Sequence, residues 1–343
     1  MKEPLLMYTN NTVFLRDELL IILDRRRFPH EVIEVVCHDY EEVAKSIEDM
    51  VVQGAGDIAI TAGYGLYLAA RYVESIAGIK SDEAQEYLVK VRERLENTRP
   101  TGYHMKVLLR RLIDQVDWKQ PNWSEQILKR IDKIIKKAET RCELTGKWAE
   151  TLVEDGDCIL THCFPGPALL YMLRLAREHD KRIQLMATET RPYLQGARLT
   201  AWSVSELGIP VTLINDNMAA YCMSQGMIAK VFTAADRIAL DGTVVNKVGT
   251  FQLAIAAHHH QLPFYIFGYG GPDKKCQRGE DIPIELRNPN EVLFFNGINI
   301  SSKKVKGFYP AFDCTPPQLL AGIITDRGII RPDEIQIYWS LPF

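Results

Sequence analysis

The chain lacks most of the features that tie a protein to metal, nucleic acid or membrane. Its seven cysteines (Cys37, Cys142, Cys158, Cys163, Cys222, Cys276 and Cys314) form no CxxC pair and follow no zinc-ligand spacing. Reduced thiols, most of them packing residues, are therefore expected, without a disulfide framework or metal knuckle. The formal net charge of -3 gives no broad basic field for nucleic acid. No uninterrupted apolar run approaches the roughly 18 residues of a membrane span, and the opening MKEPLLMYTNN has no apolar signal-peptide segment. No GxGxxG follows a strand-like run, so a dinucleotide site has no fingerprint. Three consecutive residues on a helix point about 100° apart, so His258, His259 and His260 cannot converge as metal ligands. These absences predict a cytoplasmic protein with no metal site and no nucleic-acid or membrane partner.

What is present is a chain of 343 residues, long enough for two cores. The first part opens with the β-like runs VFLRDELLIILD and EVIEVVC. Amphipathic helical segments follow at Tyr40–Gln53, Ile58–Gly78, Asp82–Asn97, Thr101–Val116 and Ser124–Leu144. Asn97-Thr-Arg-Pro100 breaks the third from the fourth, since Pro resists helix continuation and restricts the residue before it. After Asp155-Gly-Asp157 short β-branched runs alternate with helices of about a dozen residues, the rhythm of right-handed βαβ units. The predicted fold is α/β: a C-terminal Rossmann-like parallel sheet flanked by helices, and a mostly helical N-terminal domain carrying a small β element. The expected domains are 1–125, a connecting helix over 126–150, and a catalytic domain over 151–343. The tail from Gly279, rich in Pro and Asn, is expected to wrap over the sheet.

Such sheets bind ligands beyond the carboxyl ends of their strands. At those ends stand His162-Cys163, Glu189-Thr-Arg191, Asn215-Asp216-Asn217, Asp236-Arg237 and Gly268-Tyr-Gly-Gly271, polar or glycine-rich segments following apolar strand bodies. In LTHCFPG (160–166) the cysteine is either a small packing residue or a thiol aimed into a cleft. The concentration of thiol, carboxylates and Arg around it predicts a catalytic crevice. VNKVGT (245–250) reads as a helix opening, which is either an anion site built from amides, dipole and Lys247, or a capped helix with a solvated Lys. Gln195-Gly196, at another helix start, offers a neutral donor.

Together these segments resemble the methylthioribose-1-phosphate isomerase family, which also contains ribose-1,5-bisphosphate isomerases and regulatory subunits of a translation-initiation exchange factor. The resemblance is carried by LTHC (160–163), ETRPYLQGARLTAW (189–202), GIPVTLINDNMAAY (208–221), ADRIALDGTVVNKVGT (235–250), GEDIPIE (279–285) and PAFDCTP (310–316), with MVVQGAGDIAI (50–60) and TRPT (98–101) in the first half. It implies a cofactor-free and metal-free intramolecular oxidoreductase, an aldose–ketose isomerase acting on a 5-modified ribose 1-phosphate, as a homodimer in methionine salvage. It implies Cys163 and Asp236 as the catalytic pair. For the phosphate it implies Arg99, Gln195, Lys247 and the Gln53-Gly54-Ala55 turn, with Asn246 and Asp216 as candidates for sugar hydroxyls. His162 is then a structural neighbour of the thiol.

The chain departs from the family's pattern where the substrate is expected. Gln53 stands where the family has an Arg, and Gly56-Asp57 where it has Pro-Ala; Phe164-Pro165, Ala235 and Gly268-Tyr-Gly-Gly271 also differ. An altered sugar pocket, as in a paralogue acting on 5-deoxyribose 1-phosphate, is the alternative. A non-catalytic sugar-phosphate-binding subunit is the reading from another class, and the presence of both Cys163 and Asp236 argues against it.

Overall fold

The computed structural model describes residues 3–99 and 103–342. Pro100 and Thr101 of the TRPT motif, and with them the start of the helix expected from Thr101, lie outside the described residues. The chain divides into two compact units, one of Tyr8–Glu139 and one of Met1–Met7 with Thr140–Phe343. Among the described residues no helix is long and apolar enough to cross a membrane.

In the first unit the run predicted over Val13–Asp24 folds back on itself. Strands β1 (Val13–Arg16) and β2 (Leu19–Leu23) form a hairpin, and β3 (Glu34–Cys37) extends it antiparallel to β2. The two residues between the strands, Asp17 and Glu18, both have positive φ (50° and 67°), the conformation of a two-residue turn that matches strand twist. Helices α1 (Tyr40–Glu48), α2 (Ala55–Glu74), α3 (Ser81–Asn97) and α4 (Tyr103–Asp114) follow, then α5 (Trp123–Glu150), which runs past residue 139. Asp39 caps α1 by accepting the Glu42 N–H. α2 is apolar on almost every side, with Ile60, Leu66, Leu68 and Val73 packed beside Val43, Leu88, Leu109 and Ile131.

The second unit is α/β. Its strands are β4 (Cys158–Thr161), β5 (Gln184–Thr188), β6 (Val211–Ile214), β7 (Lys230–Ala234), β8 (Arg237–Ile238), β9 (Val244–Lys247) and β10 (Phe264–Phe267). The tail adds β11 (Phe294–Phe295), β12 (Ile298–Asn299), β13 (Phe312–Thr315), β14 (Gly322–Thr325) and β15 (Gly328–Ile330). Seven strands form the main sheet in the order β15-β14-β10-β7-β4-β5-β6. All its pairings are parallel except β14 with β15. The tail therefore does more than wrap over the sheet. Its β14 lies beside β10, and its β13 pairs with β9 in a second small sheet. Helices α6 (Pro167–Glu178), α7 (Trp202–Glu206), α8 (Ala219–Ser224) and α9 (Thr250–His259) connect the strands. Leu160, Val231, Phe264, Ile266 and Ile323 are buried along the sheet, as strands covered on both faces require.

Candidate active site

From β4 the chain steps to β5 and β6 on one side, then returns to β7, on the other side of β4, and continues to β10. The switch point, where open α/β sheets hold their ligands, therefore lies between the carboxyl ends of β4 and β7. Cys163 stands two residues beyond β4 and Asp236 two beyond β7. The parallel register, with Thr161 opposite Phe232, carries both into one crevice.

Cys163 has φ of 60°, left-handed for a residue with a side chain, a conformation that costs on the order of 1–3 kcal/mol unless its surroundings enforce it. Two threonines do so. The Cys163 N–H donates to Thr190 Oγ1 at 2.9 Å, and the Thr200 hydroxyl donates to the Cys163 carbonyl at 2.5 Å. Thr190 is itself left-handed (φ 64°), with its N–H and that of Arg191 donating to the two oxygens of Asp216, each at 2.7 Å. Asp216 thus organises the loop that grips Cys163. Thr200 sits in a π-helical turn, Gly196–Ala201, an irregularity frequent at functional sites. Gln195 precedes that turn, nine-tenths buried, with its Oε1 unpartnered.

Burial pushes the Cys163 thiol up to about 11, against the pull of Lys247, the Phe164 N–H and Arg287; the Asp236 carboxylate pushes the same way as burial. The thiol keeps its proton at neutral pH. His162 is no base for it. Its Nε2–H donates to the Val248 carbonyl at 2.9 Å, which leaves Nδ1 to accept from the Thr188 hydroxyl at 2.6 Å. Burial also holds the imidazole pKa below its ordinary value, so the ring stays neutral. This is the structural neighbour expected from the sequence.

Asn246 and Lys247 lie on β9, so VNK is strand and the helix opens only at Thr250, after Gly249 with φ of 107°. Asn246 donates to Thr250 Oγ1 at 2.9 Å. Lys247, buried, directs Nζ toward the Tyr309 hydroxyl (3.4 Å) and over the rings of Phe312 (5.0 Å) and Tyr309 (5.6 Å). The amides at the start of α9, one possible anion cradle in the sequence, are taken by a carboxylate from β13. Gly249 N–H and Phe251 N–H donate to Asp313 at 2.6 and 3.2 Å. An acidic side chain brought by the tail thus occupies two of the amides at this helix start.

Burial lifts Asp313 to about 6, although both amides and Lys247 favour its charged form. Its ordinary value is 3.8, so between about pH 4 and 6 the folded chain holds a proton that the unfolded chain has released. Its contribution to stability therefore falls as pH rises through that window and is constant above it. Asp313→Asn is expected to lack this fall, so its stability relative to the parent improves from pH 4 to 6 and then levels. Urea unfolding at a series of pH values measures the difference.

The remaining predicted residues belong to the other unit. Gln53 is buried and its side-chain amide donates to the Met50 carbonyl at 3.3 Å, while Arg99 Nη1 contacts Met50 Sδ at 2.6 Å. Both thus converge on Met50, beside Gly54 and Ala55 at the start of α2. Beneath this turn the buried Arg25 donates to the Gln53 carbonyl, to Thr12 Oγ1 (2.9 Å) and to Asp57 Oδ2 (2.5 Å). The unexpected carboxylate at position 57 is therefore paired with an arginine.

Sequence reasoning missed the wall of the crevice that comes from the tail. Arg287 donates from Nε to Glu285 Oε1 at 3.1 Å, and its guanidinium lies 5.6 Å over Tyr193 and 5.8 Å over Phe312. The Tyr193 hydroxyl donates to Glu291 at 2.8 Å. GEDIPIE and PAFDCTP were visible as motifs, but only their antiparallel apposition, with the Arg287 N–H on the Tyr309 carbonyl (2.9 Å) and the Ala311 N–H on the Glu285 carbonyl (2.8 Å), brings Arg287 to the crevice.

Residues 51–332 match the Initiation factor 2 subunit family. The methylthioribose-1-phosphate isomerase 1 of Pseudothermotoga lettingae is 40% identical over 325 residues, covering 91% of this chain and 92% of that protein. The methylthioribose-1-phosphate isomerase of Petrotoga mobilis is 41% identical over 336 residues, covering 93% and 95%. Among solved structures, 5-methylthioribose 1-phosphate isomerase from Pyrococcus horikoshii OT3 superposes with a TM-score of 0.85 at 34% identity, covering 96% of this chain and 94% of that one. Translation initiation factor eIF-2B subunit delta from A. fulgidus gives a TM-score of 0.81 at 34% identity, covering 94% and 96%.

Proposed function

The chain belongs to the Initiation factor 2 subunit family, and on that footing we propose that it is an isomerase converting S-methyl-5-thioribose 1-phosphate to the ribulose 1-phosphate. The observation that supports this reading is that Cys163 and Asp236 each stand two residues beyond the neighbouring strands β4 and β7, with Asp236 acting electrostatically on the thiol. The likeness to named methylthioribose-1-phosphate isomerases over more than nine-tenths of the chain supports it.

The substrate's anomeric carbon carries phosphate, so its ring cannot open to a free aldehyde. Asp236 donates a proton to the ring oxygen, which leaves as the C4 hydroxyl and makes C1 electron-poor. The C2 hydrogen then migrates with its electron pair to C1. The C2 hydroxyl returns its proton to Asp236, leaving the ketone and restoring the acid. A thiol protonated up to about pH 11 and a histidine with both nitrogens engaged favour this route over proton abstraction by a thiolate. Cys163 serves as a neutral hydrogen-bonding partner to the reacting oxygens. Lys247 and Gln195 hold the phosphate, and Asn246 holds a sugar hydroxyl. The reading includes a homodimer acting in the cytoplasm, in methionine salvage, without metal or organic cofactor.

The test is ketose 1-phosphate formation by the purified protein from methylthioribose 1-phosphate and 5-deoxyribose 1-phosphate in parallel, each also supplied with deuterium at C2. Turnover with the deuterium retained at C1 is the expected result. Faster turnover of the deoxy sugar would reassign the substrate to it. Washout into water would replace the hydride route with an enediol. No turnover of either, with sugar phosphate still bound, would leave a regulatory binding protein.

A further inference from the structure

Lys247 and Arg287 approach the same Phe312 ring, with Nζ at 5.0 Å and the guanidinium carbon at 5.8 Å from its centroid. Each also lies over a tyrosine, Lys247 over Tyr309 and Arg287 over Tyr193. Lys247 is 5% exposed, and the Arg287 side chain is 12% exposed. Two like charges so close and so dry repel, and here they are treated unequally. Arg287 has a carboxylate of its own, Glu285 at 3.1 Å, whereas the hydrogen bond from Lys247 Nζ goes to the neutral Tyr309 hydroxyl. Arg287 stays ionised whatever happens nearby. Lys247 is the cation of the two that can lose its proton.

We propose that Arg287 is a positioning residue of this site, acting on the substrate phosphate through Lys247, with which it shares the Phe312 wall and which it repels toward the crevice. The inference rests on the reading of Lys247 as a phosphate ligand. Arg287, Glu285 and Phe312 together present one ammonium, poor in counter-charge, to an incoming dianion. Such an ammonium gains more from phosphate than a solvated lysine does, because little of its charge is already compensated.

The groups facing Lys247 set its titration. Burial and Arg287 lower its pKa, while Cys163, Asp236 and Glu285 raise it. Tyr309 touches its nitrogen, and His162 and Asp313 also feel its charge. Phosphate affinity is therefore lost as pH rises through the lowered pKa of Lys247. Removing Arg287 must move that loss to higher pH, and removing the Glu285 charge must move it to lower pH.

The experiment measures the affinity of the full-length protein for inorganic phosphate by calorimetry from pH 8, where phosphate is mostly a dianion, to about 10.5, the ordinary lysine value. Arg287→Gln is expected to weaken binding at pH 8 severalfold and to shift the alkaline loss upward by roughly one pH unit, the effect of a like charge across one ring at a dielectric near 20. Glu285→Gln shifts the loss downward. Weakened binding with an unmoved profile in Arg287→Gln would overturn the proposal, leaving Arg287 a packing residue. Where Arg287→Gln fails to fold, an unmoved profile in Glu285→Gln overturns it equally. Isomerase turnover in a parent that binds no phosphate through Lys247, shown by unchanged affinity in Lys247→Met, would sink the ligand reading itself while leaving the isomerase intact.

Discussion

Asp236→Asn lowers kcat about 10²–10⁴-fold, the range for loss of a positioned acid–base group. The amide has the carboxyl's shape but no transferable proton, so both the opening of the ring and the return of the C2 hydroxyl proton lose their partner. KM is expected to change little, because the residues proposed to hold the phosphate are others. Cys163→Ser, whose hydroxyl can still hydrogen-bond the reacting oxygens, is expected to lose far less, while retaining the backbone bonds to Thr190 and Thr200, which do not involve the sulfur. Both variants should unfold within about 1 kcal/mol of the parent, since neither removes a packed hydrophobe or a cap. Steady-state kinetics with a urea midpoint for each separates lost chemistry from lost structure. An Asn variant within tenfold of the parent would remove Asp236 from the mechanism.

Gly196→Ala is expected to have the largest effect on stability and to silence the site as well. A Cβ there would stand 1.8 Å from the Thr188 carbonyl oxygen and 2.9 Å from Thr190 Oγ1. Neither neighbour is the loose end of a flexible side chain; one is backbone at the end of β5, the other grips Cys163. The π-helical turn must move outward, at a cost of about 1–3 kcal/mol or more. Thr200 moves with the turn, and its hydroxyl leaves the Cys163 carbonyl. The urea midpoint should drop with an unchanged slope, and kcat should fall at temperatures where the variant is still folded. Gly56→Ala is the counter-case, because nothing lies within 4 Å of its added carbon and it sits in α2. It should raise stability by about 0.4–1 kcal/mol. If both substitutions behave alike, close packing of the turn on Thr188 is not what fixes Cys163.

The alternation of short β-branched runs with helices was enough to specify βαβ units, and the polar ends of those runs marked the crevice before any contact was known. Alternation, however, cannot distinguish one strand from two when a hairpin turn is made by Asp17 and Glu18, neither the usual glycine; only their left-handed backbone reveals the fold-back. The tail could not be read either. Gly322–Thr325 is a four-residue run without its own helical partner, and it becomes a sheet strand because β10 presents an open parallel edge to it.

The positions proposed for the chemistry stand out along the chain: a cysteine and an aspartate beyond two strand ends, a lysine and a glutamine in polar segments, and the motifs around them. Local order sufficed, because strand ends and turns are written in neighbouring residues. The electrical state of those groups arises only in the folded protein. The Cys163 thiol is pushed to about 11 by burial, the α9 amides are occupied by Asp313 from another strand, and Lys247 shares a ring with an arginine 40 residues away in sequence. Charge and proton affinity depend on what surrounds a group in space and how much water is excluded, and neither is encoded in the residues beside it in the chain.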